Sequence, residues 1–195
     1  MNLRERSYSV LVVSASEKFN QALPEIFSPP FFSPVCFVSG SAAARRALTE
    51  REFDIAIVNS PLPDDSGVRL AVDSVSSGST AVLFLARAEQ YSEYSDRLSS
   101  NGVFVMQKPV SRSSFQLASE WLISARERIR GTERKAQSIE EKMNEIRIVN
   151  RAKWLLISEL KMTEPDAHRF IEKQAMDRCI PKKTAAEEII NTYGR

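Results

Sequence analysis

With 195 residues, 43% hydrophobic and 27% charged, the chain holds enough apolar material for one or two domains with ordinary cores. The formal charge of +2 divides unevenly: residues 1–125 hold 11 Lys/Arg and 13 Asp/Glu, and residues 126–195 hold 16 and 12, so a mildly acidic front precedes a basic back. Two isolated cysteines, Cys36 and Cys179, and a single His exclude a zinc site or a disulfide framework, and neither a signal peptide nor an apolar run long enough to cross a bilayer is found, which points to a reduced, cytoplasmic protein without metal, cofactor or membrane anchor.

Tyr8 to Val13 is a compact apolar run of the kind that forms a buried parallel strand. A helix is expected over Glu17–Phe27, with Phe19, Leu23, Ile26 and Phe27 on one face. The breakers Pro29-Pro30 and Ser33-Pro34 lead into a second strand, Val35–Val38, and Ser41 is placed to cap an Ala-rich helix over Ala42–Glu50. Asp54–Asn59 is the third strand, ended by a turn-rich loop through Ser60, Pro61, Pro63, Asp64, Asp65 and Gly67. Ala81–Leu85 and Val103–Met106 are the fourth and fifth. Strands separated by helical stretches predict βαβ units and an α/β, doubly wound, parallel five-stranded sheet.

After Lys108-Pro109 the character changes: from Ser114 to Ile157 there is no Pro and one Gly, at Gly131. Ile129, Ala136, Met143 and Asn150 recur every seven residues, with Thr132, Ile139, Ile146 and Lys153 interleaved, which is the a/d seam of a helix pairing with a second copy. Gly131, Thr132 and Asn150 weaken the seam, and the alternative is a solitary connecting helix with one face packed on its own domain. Beyond it, Thr163 before Glu164-Pro165-Asp166 is a helix N-terminus, with a capping hydroxyl and acids in the first turn. That helix is expected to reach about Cys179, Ile180-Pro181 breaks it, and Lys182–Thr192 forms a last helix. Leu155, Leu156, Leu160, Met162, Phe170, Ile171, Ile189 and Ile190 supply a small three-helix core. Small Ala residues set among basic ones suggest a face that something bulky approaches closely.

The front half, through the Asn59–Gly67 loop and Lys108-Pro109, resembles the response-regulator receiver domain, a flavodoxin-like fold of two-component systems. In that family an Asp ending strand three accepts a phosphoryl group, two acids after strand one hold Mg²⁺, and a hydroxyl residue on strand four and a Lys after strand five contact the phosphate. Here Ser14 and Ala15 stand at the acidic pair, Asn59 at the acceptor, Ala86 at the hydroxyl residue and Val105 near a position where an aromatic is common; Lys108 alone remains. A carboxamide cannot form an aspartyl phosphate, and Asp64 and Asp65 lie in the loop beyond the strand. The resemblance therefore implies a degenerate phosphoacceptor site, a pseudo-receiver over 1–125. Lys108 then has Asn59, a backbone carbonyl or solvent as partners.

The basic end resembles the ANTAR domain, the RNA-binding module of amidase and nitrate-assimilation antitermination regulators. Ala152-Lys153 and Leu155-Leu156-Ile157 match its first helix, Ala167, Ile171 and Ala175-Met176 its second, and Ala186 with Ile189-Ile190 its third. His168 stands where an aromatic is usual and Lys161 where Gly is frequent. The resemblance implies a small three-helix ANTAR bundle over 148–195 behind a coiled-coil helix over 126–147. It implies a homodimer binding two hairpins in an mRNA leader, and so an antitermination regulator without catalysis. Arg151, Lys153, Arg169, Lys173, Arg178, Lys182 and Lys183 are the candidate phosphate contacts. His168 is a candidate for base stacking, and Ala152, Ala167, Ala175 and Met176 for close approach, although Trp154 and Met176 read more readily as packing. A sensor protein or ligand would act on the front half. The alternatives are a DNA-binding response regulator, with Arg169, Lys173 or Arg178 in a major groove, and a protein-interaction adaptor that ignores nucleic acid. An enzyme is the least favoured, since no Ser/His/Asp set, phosphate-binding Gly loop or metal cluster is present.

Overall fold

The computed structural model describes residues 6–27 and 30–194, so Pro29, one of the expected breakers, lies outside the described residues. The chain divides into two compact units, Met1–Gly131 and Thr132–Arg195. In the first, β1 (Tyr8–Val13), α1 (Glu17–Ala22), β2 (Phe32–Val38), α2 (Ser41–Glu50), β3 (Ile55–Asn59), α3 (Val68–Ser76), β4 (Ala81–Ala86), α4 (Tyr91–Ser99) and β5 (Phe104–Gln107) follow one another before α5 (Arg112–Leu160) begins. The strands pair in the order β2-β1-β3-β4-β5, and every pairing is parallel. This is the doubly wound sheet expected from the pattern of apolar runs.

The pleat sorts the side chains. Val10, Val12, Ile55, Ile57, Leu83 and Leu85 point to one face, where Leu23, Phe27 and, from α5, Phe115, Ala118 and Leu122 cover them. The alternate residues Leu11, Val13, Ala56, Val58, Val82 and Phe84 point to the other, against Ala44 of α2, Leu70 and Ala71 of α3, and Tyr94 and Leu98 of α4. Because both faces are covered, the strands read as unbroken apolar runs and not as alternating ones.

Two local expectations are corrected. The first helix ends at Ala22 and continues as a 3-10 turn, Leu23–Glu25. Pro24 has no N–H to donate to a carbonyl of the preceding turn, yet Leu23 and Phe27 still reach the core. Ser41 is not the cap of α2. The cap position is Gly40, and the Asp64 carboxylate, reaching over from the β3–α3 loop, accepts from Ser41 N (2.9 Å) and Ala42 N (2.9 Å). Gly40 leaves room for it, since a Cβ there would lie 2.7 Å from Asp64 Oδ1. The Ser41 hydroxyl instead donates to Asp65 Oδ1 (2.6 Å). Both loop acids are thus used in tying the β3–α3 loop to α2. Gly67, which starts α3, has φ 77, and a Cβ would come within 2.6 Å of Val58; only glycine suits both demands.

α5 is a single helix of 49 residues. It passes through Gly131, whose cost inside a helix is about 1 kcal/mol relative to Ala, and the expected boundaries at 125/126 and 147/148 both fall inside it. About four to five turns in, it is held to the sheet by Asp54, just ahead of β3. One carboxylate oxygen accepts from Arg126 Nε (2.9 Å) and an Arg130 guanidinium nitrogen (2.7 Å), and the other from Ser9 N (3.0 Å). In the second unit the remainder of α5 packs with α6 (Glu164–Asp177) and α7 (Lys182–Tyr193). Thr163 caps α6 as expected, its hydroxyl accepting from Asp166 N (3.3 Å). α6 stops at Asp177, short of Cys179.

Burial alone would push the Asp54 carboxyl up, but the Ser9 amide, the Arg126 hydrogen bond and the Arg130 charge together hold it below the usual Asp range. Asp54 therefore contributes stability that is present above the unfolded-state pKa and is lost as pH falls through the lower folded-state value. Asp54→Asn, which takes the negative charge away from a largely buried ion pair, should cost about 3 kcal/mol in urea denaturation at neutral pH. The gap between variant and wild type should narrow as the measurement moves into the acid range.

Candidate functional site

Two regions gather the residues singled out from sequence. The first lies at the carboxyl ends of β1, β3 and β4, where ligands bind in open parallel sheets. Asn59, ending β3, is 8% exposed; its Nδ2 donates to Ser14 Oγ (3.0 Å), which also accepts from Ser16 N (3.1 Å). Lys108 Nζ donates to Asn59 Oδ1 (2.9 Å) and to the Ser60 carbonyl. Of the three partners expected for Lys108, Asn59 and a backbone carbonyl are both used. Ala86 is fully buried, Ala15 is exposed on the rim, and Val105 packs against the α2–α4 side of the core.

These residues do not suit Mg²⁺. Divalent magnesium takes several oxygen ligands, carboxylates foremost, and the cleft offers the Ser14 and Ser16 hydroxyls, both already engaged, and one amide oxygen occupied by an ammonium group. Among the described residues no group of His, Cys, Asp or Glu could hold a metal ion. Arg87, at the end of β4, was not singled out from sequence, yet it lines the same cleft with Phe19 and Lys108. Burial and the Arg87 charge both push the Lys108 ammonium below the usual lysine range. The cleft thus sets two cations side by side with no acid among its lining residues.

The second region is the surface of the α5–α6–α7 bundle, where the reading of the alanines is corrected. Ala152, Ala167 and Ala175, expected on an open face, are buried with Ala185 and Ala186 around Leu156, Ile171 and Ile189. Methyl-sized side chains here bring helix to helix, and nothing larger than a neighbouring side chain meets them. The outward face of α6 is set by that stripe. Ala167, Ile171 and Ala175 point inward, and two positions further along a helix is about 200° of rotation. Arg169 and Lys173 therefore point away from the core, with Met176 beside them at 75% exposure. On α5, Arg151 and Trp154 are also exposed, Trp154 at 70%. Trp154 and Met176 are thus not packing residues of this bundle.

The basic candidates separate into two groups. Lys153 binds Glu164 (2.8 Å), Arg178 binds Glu188, Lys182 binds Glu172 (2.5 Å), and Lys183 lies 3.9 Å from Glu187. Hydrogen bonds from Lys153, Lys182 and Arg178, respectively, hold Glu164, Glu172 and Glu188 below the usual Glu range. Arg151, Arg169 and Lys173 are exposed and make no ion pair among the described residues. His168 Nε2 lies 3.4 Å from Glu172, one turn along α6. The helix ends use left-handed residues: Lys161 has φ 55 and Cys179 φ 51. At Cys179 the backbone closes as a Schellman turn, with Cys179 N donating to the Met176 carbonyl (3.2 Å) and Ile180 N to that of Ala175 (3.0 Å).

Residues 137–190 match the family model of the ANTAR domain, beginning within the stretch read from sequence as a paired linker. Over 141 residues the chain is 28% identical to the transcriptional regulatory protein PdtaR of Mycobacterium tuberculosis (strains CDC 1551 / Oshkosh and H37Rv), spanning 72% of this chain and 69% of that protein. The fold is similar to the signal receiver domain of an HD domain-containing protein from Pseudomonas fluorescens Pf-5, with TM-score 0.56 and 22% identity over 64% of this chain and 92% of that one. It is likewise similar to a response regulator receiver domain protein from Clostridium thermocellum, with TM-score 0.54 and 18% identity over 62% and 97%. At such identities the likeness shows the fold.

Chemical denaturation of the full chain checks the packing of the bundle. Cys179→Gly should stabilise it by about 0.5–1 kcal/mol, because the left-handed conformation suits glycine. Ala167→Leu should cost about 1–3 kcal/mol through overpacking, whereas Arg169→Glu should leave stability nearly unchanged.

Proposed function

We propose that this chain, which carries an ANTAR domain at its C-terminal end behind a receiver-like domain, regulates transcription by binding hairpin RNA in mRNA leaders as a homodimer. The observation that carries the reading is the outward face of α6, where Arg169 and Lys173 make no ion pair among the described residues and lie beside exposed Met176. Free cations hold phosphates, and a flat or flexible apolar side chain between them suits an unstacked base in a hairpin loop. Arg151 and Trp154 make a similar pairing on α5. Lys153, Arg178, Lys182 and Lys183 would have to leave Glu partners first, so they contribute less.

Dimerisation is supported by a second stripe on α5. Ile139, Met143 and Ile146 are between 50% and 59% exposed, on the seam read from the heptad spacing. Two copies pairing there would bring two RNA-binding ends together, making the second hairpin contact intramolecular. No helix among the described residues is long and apolar enough to cross a membrane, consistent with action at cytoplasmic transcripts. Control by phosphorylation is not part of the reading: Asn59 is no nucleophile, and the cleft has no acids to share a metal ion with a phosphoryl group. Input from a sensor protein or ligand at the receiver-like domain takes its place.

Electrophoretic or fluorescence titration against a two-hairpin leader RNA tests the main reading. Arg169→Glu combined with Lys173→Glu should weaken binding by at least about tenfold and lower the salt slope by about one for each lost phosphate contact. Unchanged RNA affinity, or a preference for duplex DNA at the same ionic strength, would overturn it. Intact-mass analysis after incubation with acetyl phosphate and Mg²⁺ should show no phosphoprotein for the wild-type chain. Asn59→Asp alone should not create one, because Ser14 and Ala15 still supply no metal ligands.

A further inference from the structure

A cavity of about 700 Å³ opens in the first unit between α1, the end of β4 and the start of α5. That is within the size range of small-molecule sites. Its walls are mostly apolar: Phe19, Leu23 and Ile26 on the α1 side, Leu85 from β4, Val110 and Phe115 from the segment entering α5. It adjoins the degenerate acceptor cleft, a space of about 310 Å³, and the two share Phe19, Arg87 and Lys108.

The charges around this joined space are unbalanced. Of the two acids on the larger cavity's rim, Glu25 already binds Arg112 (2.6 Å), which leaves Glu89. The smaller cleft has no acid among its lining residues. Among the described residues Lys108 is held by the neutral oxygens of Asn59 and Ser60, and Arg87 makes no ion pair. A partly buried ammonium group beside a guanidinium, with neutral acceptors only, favours a bound anion; an apolar chamber next to it favours a hydrocarbon body.

We propose that this cavity is a ligand site for a small amphipathic anion, a medium-chain carboxylate whose headgroup sits between Arg87 and Lys108 and whose apolar body lies against Phe19, Leu23, Val110 and Phe115. The site does not depend on the RNA reading, because it lies within the first unit and its assay contains no RNA. It supplies a chemical class for the input signal that the missing phosphorylation chemistry leaves unassigned. No covalent step is involved.

Calorimetric titration of the full chain with octanoate, octanol and octylamine, each below its micellar concentration and at one ionic strength, tests the assignment. Octanoate should bind about tenfold or more tightly than octylamine, the size of one good charge-assisted contact. Arg87→Gln should remove most of that preference while leaving octanol affinity unchanged. Ala22→Trp, on the cavity wall, should abolish binding of all three, with Val110→Trp as the second filling variant if the first does not fold. Equal affinity for octanoate and octylamine, tightest binding of octanol, no heat from octanoate at millimolar concentration, or binding that survives a folded filling variant would each overturn the proposal.

Discussion

The position of α5 on the sheet depends on one carboxylate. Asp54 and Arg126 are 13% and 8% exposed in their side chains, so their contact lies largely out of water, with Arg130 and the Ser9 amide completing the shell. Such a pair adds little net stability over an apolar substitute, because desolvating two charges offsets most of their attraction. What it adds is selection. Phe115, Ala118 and Leu122 give α5 an apolar stripe that would tolerate some rotation and sliding; two guanidinium groups converging on one carboxylate oxygen do not. The rotational setting of the helix against β3 follows from that contact, and so does the placing of Phe115 and Arg112 beside the cavity near α1.

At the opposite end of the sheet, the cleft beyond β3 is lined by neutral groups and two cations. Lys108 keeps its place after β5, but it rests on a carboxamide oxygen and a peptide carbonyl. Ser14 joins the Asn59 amide in a neutral hydrogen-bond chain. Asp64 and Asp65, the first acids after Asn59 in the chain, are engaged with the N-terminal turn of α2.

The strands were legible because their residues alternate between two covered faces, so that every position from Val10 to Val13 or from Ile55 to Val58 is apolar. The long helix was legible from the absence of Pro over more than forty positions, and the Thr163 cap from its local spacing. The α2 cap was not, because its acceptor comes from Asp64, 23 residues away, and nothing at Ser41 advertises that. The alanines of the bundle misled for a related reason. A small residue at helical spacing records close approach, but not whether the approaching body is another helix or a ligand. The ion pairs that occupy Lys153, Arg178 and Lys182 join residues ten or eleven apart across a turn between helices, a separation with no periodic signature. Arg87 escaped notice because a single cation after a strand carries no pattern until the fold places it beside Lys108.

Within the second unit, α5 serves two masters on different sides of one cylinder. Ala152 and Leu156 belong to the bundle, while Ile139, Met143 and Ile146 look outward. Each added or deleted residue turns everything beyond it by about 100°. The phase between these stripes is therefore counted in residues: a one-residue insertion between Ile146 and Ala152 would swing the outer stripe to the flank of the bundle. Lengthening in this family of helices is consequently tolerable in steps of seven and disruptive in steps of one or two, a spacing rule that comes from helix geometry alone.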